Sequence, residues 1–151
     1  EEFFIFVIDE IQFLFSANKG SDFGLLQKVA SGGEMSRIML AVKSVLSEYS
    51  KLPTIIFDEI DTGVSGEIAH KMGEIMKDMS TNMQVFAITH LPQIAGKGKA
   101  HFKVFKVIKD SQTQSELKLL NPEERVVEIA QMLSGSTISD SALNHAKELL
   151  N

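Results

Sequence analysis

Apolar residues follow two different spacings along the chain, and each spacing predicts one kind of element. Short apolar runs at residues 3–8 and 11–15 predict two strands, and the polar, glycine-containing stretch at 18–24 predicts the loop that follows them. From about Gly33 the apolar residues recur at helical spacing, which predicts an amphipathic helix. Its predicted apolar face consists of Met35, Ile38, Met39, Val42, Val45, Leu46 and Tyr49.

Two later runs, residues 54–57 and 85–88, are apolar or β-branched throughout, which favours strands buried on both faces. A helix that begins at Ser65 separates them and carries apolar residues at helical spacing. The side chains predicted to face inward are Ile68, Met72, Ile75, Met76 and Met79. Strand, helix and strand in this order, with short connections, predict a βαβ unit and a parallel sheet.

The last third of the chain predicts a β-hairpin followed by two helices. The hairpin strands are residues 101–108 and 115–120. Pro122, followed by two acids, is typical of a helix start, and Ser139 or Asp140 begins the last helix. The predicted fold class is therefore α/β, with a mainly parallel sheet, flanking helices, a β-hairpin and two C-terminal helices.

The composition suits one globular domain, since 44% of the 151 residues are hydrophobic and 23% are charged. No apolar run approaches the ~20 residues needed to cross a bilayer. The absence of cysteine excludes disulfides and thiolate metal sites and is compatible with a reducing, cytoplasmic setting. A net charge of -5 argues against a general DNA-binding surface. Because the chain opens directly on the run at residues 3–8, we expect it to be a piece of a longer protein.

Three short motifs carry side chains suited to phosphate chemistry. Asp58 and Glu59 end a predicted strand, at the sheet edge where open α/β folds bind ligands. In phosphoryl-transfer proteins an aspartate here holds magnesium, and the next acid can polarise the attacking water. His90 ends the neighbouring strand, so we expect it beside these carboxylates, where it could donate to a phosphate oxygen. Taken alone, the carboxylates also fit a strand running out into solvent, and His90 more commonly fits an exposed loop.

The third motif, residues 31–34, opens the predicted amphipathic helix. Gly32 and Gly33 let the backbone approach a ligand, the helix start offers free N–H donors, and Ser31 adds a hydroxyl. Together these groups suit a terminal phosphate. Ser31 and Glu34 also form the pattern of a capping box, which on this motif alone is the more common interpretation.

The order of these motifs resembles the head of an ATP-binding-cassette (ABC) ATPase: signature motif at 31–34, Walker B at 58–59, D-loop at Asp61 and switch histidine at His90. Over residues 29–37, 56–66 and 88–95 the sequence more closely resembles the RecN family of bacterial DNA repair proteins, which are relatives of the structural-maintenance-of-chromosomes (SMC) proteins. The resemblance extends from about Phe13 to Leu150.

This resemblance implies a pair of heads that hold two ATP molecules between them. Asp58 would serve Mg²⁺, Glu59 would be the general base, and His90 would contact the γ-phosphate of the same head's nucleotide. The residues implied to bind nucleotide are Ser31, Gly32, Gly33, Glu34 and Asp61. Of these, the serine and the two glycines would reach the nucleotide of the opposite head, and the aspartate would lie at the dimer seam.

The chain departs from the family in lacking a Gly-x-x-x-x-Gly-Lys-Ser/Thr P-loop. The segment 96–100 is basic and glycine-rich, but Ala100 follows Lys99 and Gln93 occupies the first glycine position. By resemblance, the P-loop belongs to an N-terminal lobe beyond a coiled coil. Residues 1–151 would then be the C-terminal lobe, inactive alone, with ATP and Mg²⁺ as cofactors of the whole protein. The implied partners are that N-terminal lobe, a second head and DNA, without a membrane, in the bacterial cytoplasm at the nucleoid.

Two other functions stay open on the sequence. The chain could be a non-catalytic docking or dimerisation lobe, or an ATPase of the RecA type with a similar strand-end acid pair. The signature-like residues 31–34 ahead of the Walker B strand argue against the RecA type. A basic stretch raises the question of DNA contact, but a solvated hairpin face is the favoured interpretation. It consists of Lys97, Lys99, His101, Lys103, Lys106 and Lys109.

Overall fold

A computed structural model of the protein describes residues 11–17, 19–49, 51–109, 112–135 and 137–151. The strand predicted at residues 3–8 lies outside the described residues. In chain order the elements are β1 (Leu14–Phe15), β2 (Gly24–Leu25), α1 (Leu26–Val29), α2 (Gly32–Tyr49), β3 (Thr54–Asp58), α3 (Gly66–Met79), β4 (Gln84–Ile88), α4 (Pro92–Ala95), β5 (Phe102–Lys109), β6 (Gln112–Leu119), α5 (Pro122–Ser134) and α6 (Asp140–Leu150).

The predicted βαβ unit is confirmed. Strands β3 and β4 pair in parallel, in register from Thr54 opposite Gln84 to Asp58 opposite Ile88, and α3 connects them. The main core lies between this pair, α2, α3 and α4. Its buried side chains are Leu40, Phe57, Val64, Ala69, Met72, Met76, Met79, Met83 and Ile94. The unbranched methionines therefore serve as packing residues along one face of α3 and in the turn after it.

The prediction that both parallel strands are buried on two faces is wrong for the described residues. Phe57 is buried, but Ile56, Phe86 and Ile88 are 61%, 45% and 56% exposed. Successive strand residues point to opposite faces, so these three side chains form an open apolar face that also carries Asp58. The physical reason is that the main core covers only the other face. Ile68, predicted to face inward on α3, is likewise 46% exposed.

The apolar face of α2 is mostly open as well. The buried residue of α2 is Leu40, which is not part of the predicted stripe, whereas Val45, Leu46 and Tyr49 on that stripe are exposed. Helical spacing correctly predicts the helix, but it does not tell which side of the helix a neighbouring element covers.

The predicted hairpin and C-terminal helices are confirmed. Strands β5 and β6 pair antiparallel from Phe102 opposite Leu119 to Lys109 opposite Gln112. Helix α5 begins at Pro122, as the sequence predicts, and the structure adds a complete capping box between Asn121 and Glu124. It packs on α6 around a second core of Ile129, Ala130, Ala142 and Ala146.

The predicted α/β fold class is confirmed, and the structure shows which strands pair in parallel and which pair antiparallel. Among the described residues the parallel pairing is confined to β3 and β4, while β1–β2 and β5–β6 are antiparallel pairs. The short elements β2, α1 and α4 carry too few residues to show a period, so the sequence pattern does not predict them.

Candidate nucleotide site at the strand ends

The ends of β3 and β4 lie side by side. Asp58 is paired in register with Ile88, and the backbone N–H of Glu59 donates to the carbonyl oxygen of Ile88 at 3.1 Å. Both acidic side chains are exposed. The parallel pairing therefore presents two carboxylates to solvent at the edge where β4 continues into Thr89 and His90.

Glu59 has an unusual backbone. Its φ is 48°, in the left-handed region, and it is the non-glycine residue with positive φ in the described part of the chain. The following turn holds it there, because the Thr62 hydroxyl and N–H donate to the Glu59 carbonyl at 2.9 and 3.4 Å. Such strain costs about 1–3 kcal/mol and commonly occurs at functional sites. Here the left-handed conformation of Glu59 ends the extended backbone of β3 at Asp58.

Asp61 lies inside this turn rather than on its surface. Its side chain is 1% exposed, and one carboxylate oxygen accepts a short hydrogen bond from the Thr89 hydroxyl. The other oxygen is 3.7 Å from Nδ1 of His90, whose side chain is 67% exposed. No role for Thr89 was predicted from the sequence, although a polar residue between an apolar strand and a histidine was the available signal. A role for Asp61 at a dimer seam stays a prediction.

The start of α2 forms the capping box that the sequence pattern indicates. Ser31 N–H donates to the Glu34 carboxylate at 2.7 Å, and Glu34 N–H donates to the Ser31 hydroxyl oxygen at 3.3 Å. The hydrogen bonds with Ser31, first of all from its backbone N–H, lower the pKa of Glu34. Glu34 is therefore engaged by the cap, and roles in nucleotide binding for residues 31–34 stay predictions.

Gly33 brings the start of α2 against the turn after Glu59. A Cβ atom at this position would lie 3.4 Å from the Thr62 carbonyl oxygen and 3.3 Å from an Arg37 guanidinium nitrogen. Gly32, in contrast, has no atom of another described residue, its own helix backbone and chain neighbours aside, within 4 Å of the position where a Cβ would stand. The motif thus has one glycine packed on the turn and one facing open space.

Asp58 fits a magnesium site in which the phosphates of a bound nucleotide supply part of the coordination. The described ranges contain no group of three or more His, Asp or Glu side chains placed to hold a metal together. Magnesium is usually bound by one or two carboxylates together with substrate phosphates and water, not by a cage of protein ligands. An exposed strand-end carboxylate such as Asp58 can fill that role.

Much of the basic stretch is engaged with acidic side chains. Lys97 pairs with Glu74 at 2.5 Å, and Lys103 and Lys109 also form ion pairs, with Glu128 and Glu116. These contacts favour the interpretation of a solvated hairpin face over a DNA-binding patch.

Solved structures share this fold. The Smc head domain of Pyrococcus yayanosii, crystallised with a coiled coil and joint, superposes with a TM-score of 0.62 at 20% identity, over 76% of this chain and 21% of that one. A structure from work on ATP-driven dimerization and DNA-stimulated activation of SMC ATPases superposes with a TM-score of 0.57 at 19% identity, over 78% of this chain and 70% of that one. The fold is therefore that of an SMC ATPase head lobe. No helix of the described residues has the length and apolar character required to span a membrane.

Sequence relatives identify the family more specifically. No family model matches the chain. The DNA repair protein RecN of Bacillus subtilis is 46% identical over 143 residues, that of Rickettsia conorii 48% over 143 residues, and that of Deinococcus radiodurans 46% over 143 residues. Each alignment covers 95% of this chain but only 25–26% of the relative. Over this shared segment, about a quarter of each relative, the chain belongs to the RecN family of DNA repair proteins.

Proposed function

We propose that this chain is the C-terminal lobe of a RecN-type, SMC-like ATPase head that hydrolyses ATP during DNA double-strand-break repair. The observation that carries the proposal is the shared edge of β3 and β4, where Asp58, Glu59 and His90 follow two hydrogen-bonded parallel strands. Nucleotide chemistry in open α/β folds takes place at this kind of edge.

Each residue at the edge has a role that its position allows. Asp58 holds Mg²⁺ together with the phosphates, and the ion when bound neutralises the charge that develops on them. Glu59 accepts a proton from the attacking water, since its carboxylate is exposed just beyond the end of β3. His90 contacts the γ-phosphate through its exposed ring.

The start of α2 serves the nucleotide of an opposite head. Its cap orients the first helical turn, and Gly32 leaves room for a phosphate to approach the backbone N–H groups. Ser31 adds a hydroxyl donor at the same helix end. Each of the two composite sites in a head dimer would then contain carboxylates from one head and helix-end donors from the other.

The open apolar surface supports a partner lobe that carries the P-loop. Ile56, Phe86 and Ile88 are exposed on the same face as Asp58, so a lobe packed there would bring its phosphate-binding loop beside Asp58.

The DNA repair context is supported by the name of the RecN relatives, and a second head and DNA as partners are supported by the SMC work on ATP-driven dimerization and DNA-stimulated activation. Double-strand breaks and the bacterial nucleoid are what the sequence resemblance implies. A second candidate is a docking or dimerisation lobe without turnover. The same exposed apolar faces favour that alternative, because docking surfaces need no catalytic carboxylate.

Replacing Glu59 by Gln in the complete protein, with the unaltered protein measured beside it, separates the two candidates. The amide keeps size and polarity but cannot act as a base, so ATP should still bind while hydrolysis slows by roughly 10²–10⁴-fold. Glu67→Gln is the matched control, since Glu67 is an exposed acid on α3 that pairs only with Lys71 among the described side chains. Near-normal turnover of Glu59→Gln in a phosphate-release assay would show that Glu59 is not the base, and absence of turnover in the unaltered protein would favour the docking lobe.

A further inference from the structure

Asp61 is a buried carboxylate in which one oxygen accepts a hydrogen bond and the other accepts none from the described residues. Its side chain is 1% exposed. Thr89 donates to Oδ2, while Oδ1 has no hydrogen-bond partner in the described part of the chain. A buried carboxylate oxygen without a donor is costly, so a nearby donor that can reach Oδ1 is expected to do so.

The hydrogen bonds around Thr89 fix which oxygen is free. Leu91 N–H donates to the Thr89 hydroxyl oxygen at 3.0 Å, and the hydroxyl hydrogen points to Asp61 Oδ2. Because the hydroxyl has one hydrogen, Thr89 cannot also serve Oδ1. The nearest cationic or ring nitrogen to that atom is Nδ1 of His90, at 3.7 Å.

We propose that Asp61 is a positioning residue for His90 of the same chain. A rotation of the exposed ring that closes the Nδ1–Oδ1 distance by about 1 Å gives an ordinary hydrogen bond. With Nδ1–H held by Asp61, Nε2 is the nitrogen that faces outward. A carboxylate that fixes the tautomer and orientation of a histidine in this way is a recurrent device in active sites.

The same turn also holds Glu59. Thr62 donates to the Glu59 carbonyl, and Val64 N–H donates to the Asp61 carbonyl at 3.0 Å. The turn at residues 59–64 therefore fixes the backbone of Glu59, the proposed base, and also holds Asp61, which would anchor the His90 ring. The catalytic consequence of the pairing rests on the proposed function, whereas the pairing itself does not.

The test compares Asp61→Asn, Thr89→Val and Thr89→Ser in the complete protein, with Asp78→Asn as the matched control, an exposed aspartate at the end of α3. Two quantities are measured. The first is the protonated nitrogen of His90, observed by NMR after ¹⁵N-histidine labelling and assigned by the signal lost in His90→Gln. The second is the pair of constants kcat and KM for ATP.

The unaltered protein and Asp78→Asn should have the proton on Nδ1. Asp61→Asn should lose that signature, because its amide N–H would turn Nδ1 into an acceptor, and kcat should fall about 10- to 100-fold with KM unchanged. Thr89→Val should also lose the Nδ1 signature of His90 and lower kcat, whereas Thr89→Ser should retain both the signature and kcat.

An unchanged His90 signature in folded Asp61→Asn overturns the proposal. If Asp61→Asn does not fold, equal His90 signatures in Thr89→Val and Thr89→Ser overturn it instead. If Glu59→Gln and His90→Gln keep full turnover, the proposed catalytic function fails, and a changed signature in Asp61→Asn still establishes the pairing.

Discussion

Arg125 donates a hydrogen bond of 3.0 Å from Nη2 to the carbonyl oxygen of Gly96. The same guanidinium also reaches the carbonyl oxygens of Ala95, Gly98 and Lys99. One side chain of α5 thus donates to several backbone carbonyl groups at the end of α4 and in the segment after it. The glycine-rich basic segment 96–99 owes its conformation to this contact and does not form a phosphate loop.

Arg125→Met should lower the free energy of unfolding by about 2–4 kcal/mol. Methionine keeps the apolar stem but removes every donor, so the part-buried hydrogen bonds to the carbonyl groups of Ala95 and Gly96 are lost together with the two exposed ones. Lys99→Met, in the same loop and exposed, should change it by less than about 0.5 kcal/mol. Urea unfolding followed by circular dichroism measures both, and equal values for the two variants would contradict the role given to Arg125.

Gly96→Ala tests how closely α4 and α6 approach. A Cβ at Gly96 would stand 2.9 Å from the Leu149 carbonyl oxygen, while the φ of −62° is one that alanine adopts readily. Steric overlap with backbone should therefore outweigh the helix preference of alanine, and the variant should lose about 1–3 kcal/mol of unfolding free energy.

Gly32→Ala is the control for this packing, because a Cβ at that position would meet no described residue beyond its own helix backbone and chain neighbours within 4 Å. It should be neutral or slightly stabilising in the same urea titration. A Gly96→Ala protein as stable as Gly32→Ala would show that the two helices can separate without cost.

Glu59→Gly should raise stability and remove activity together. Glycine adopts a φ of 48° without the steric penalty that glutamate has there, so the unfolding free energy should increase by about 0.5–1 kcal/mol. Asp58→Gly, one residue earlier in regular strand geometry, should instead be destabilising. A decrease in stability for Glu59→Gly would mean that the Glu59 side chain itself holds the turn.

The sequence predicts those features that depend on local spacing and misses those that depend on a neighbour. The start of helix α5 follows from Pro122 and the two acids after it, and the βαβ unit follows from two apolar runs around an amphipathic segment. Burial of Ile56 is a different matter, because an apolar run predicts a strand but not which of its faces another element covers. The Asp61–Thr89 contact joins residues 28 positions apart, so no local pattern contains it.

His101 should make the folded chain sensitive to mild acid. Burial, and secondarily the charge of Arg125, lower the pKa of this imidazole below its usual range. The folded state therefore favours neutral His101, whereas the unfolded chain takes up a proton near pH 6.5. As the pH falls below about 6.5, the unfolded state binds more protons than the folded state, and the unfolding free energy decreases by up to about 1.4 kcal/mol per pH unit.

His101→Gln should flatten that slope between pH 7 and pH 5, in urea titrations at constant ionic strength. The exposed His145→Gln should keep the slope of the unaltered chain, and a slope that survives His101→Gln would assign the acid sensitivity to other groups.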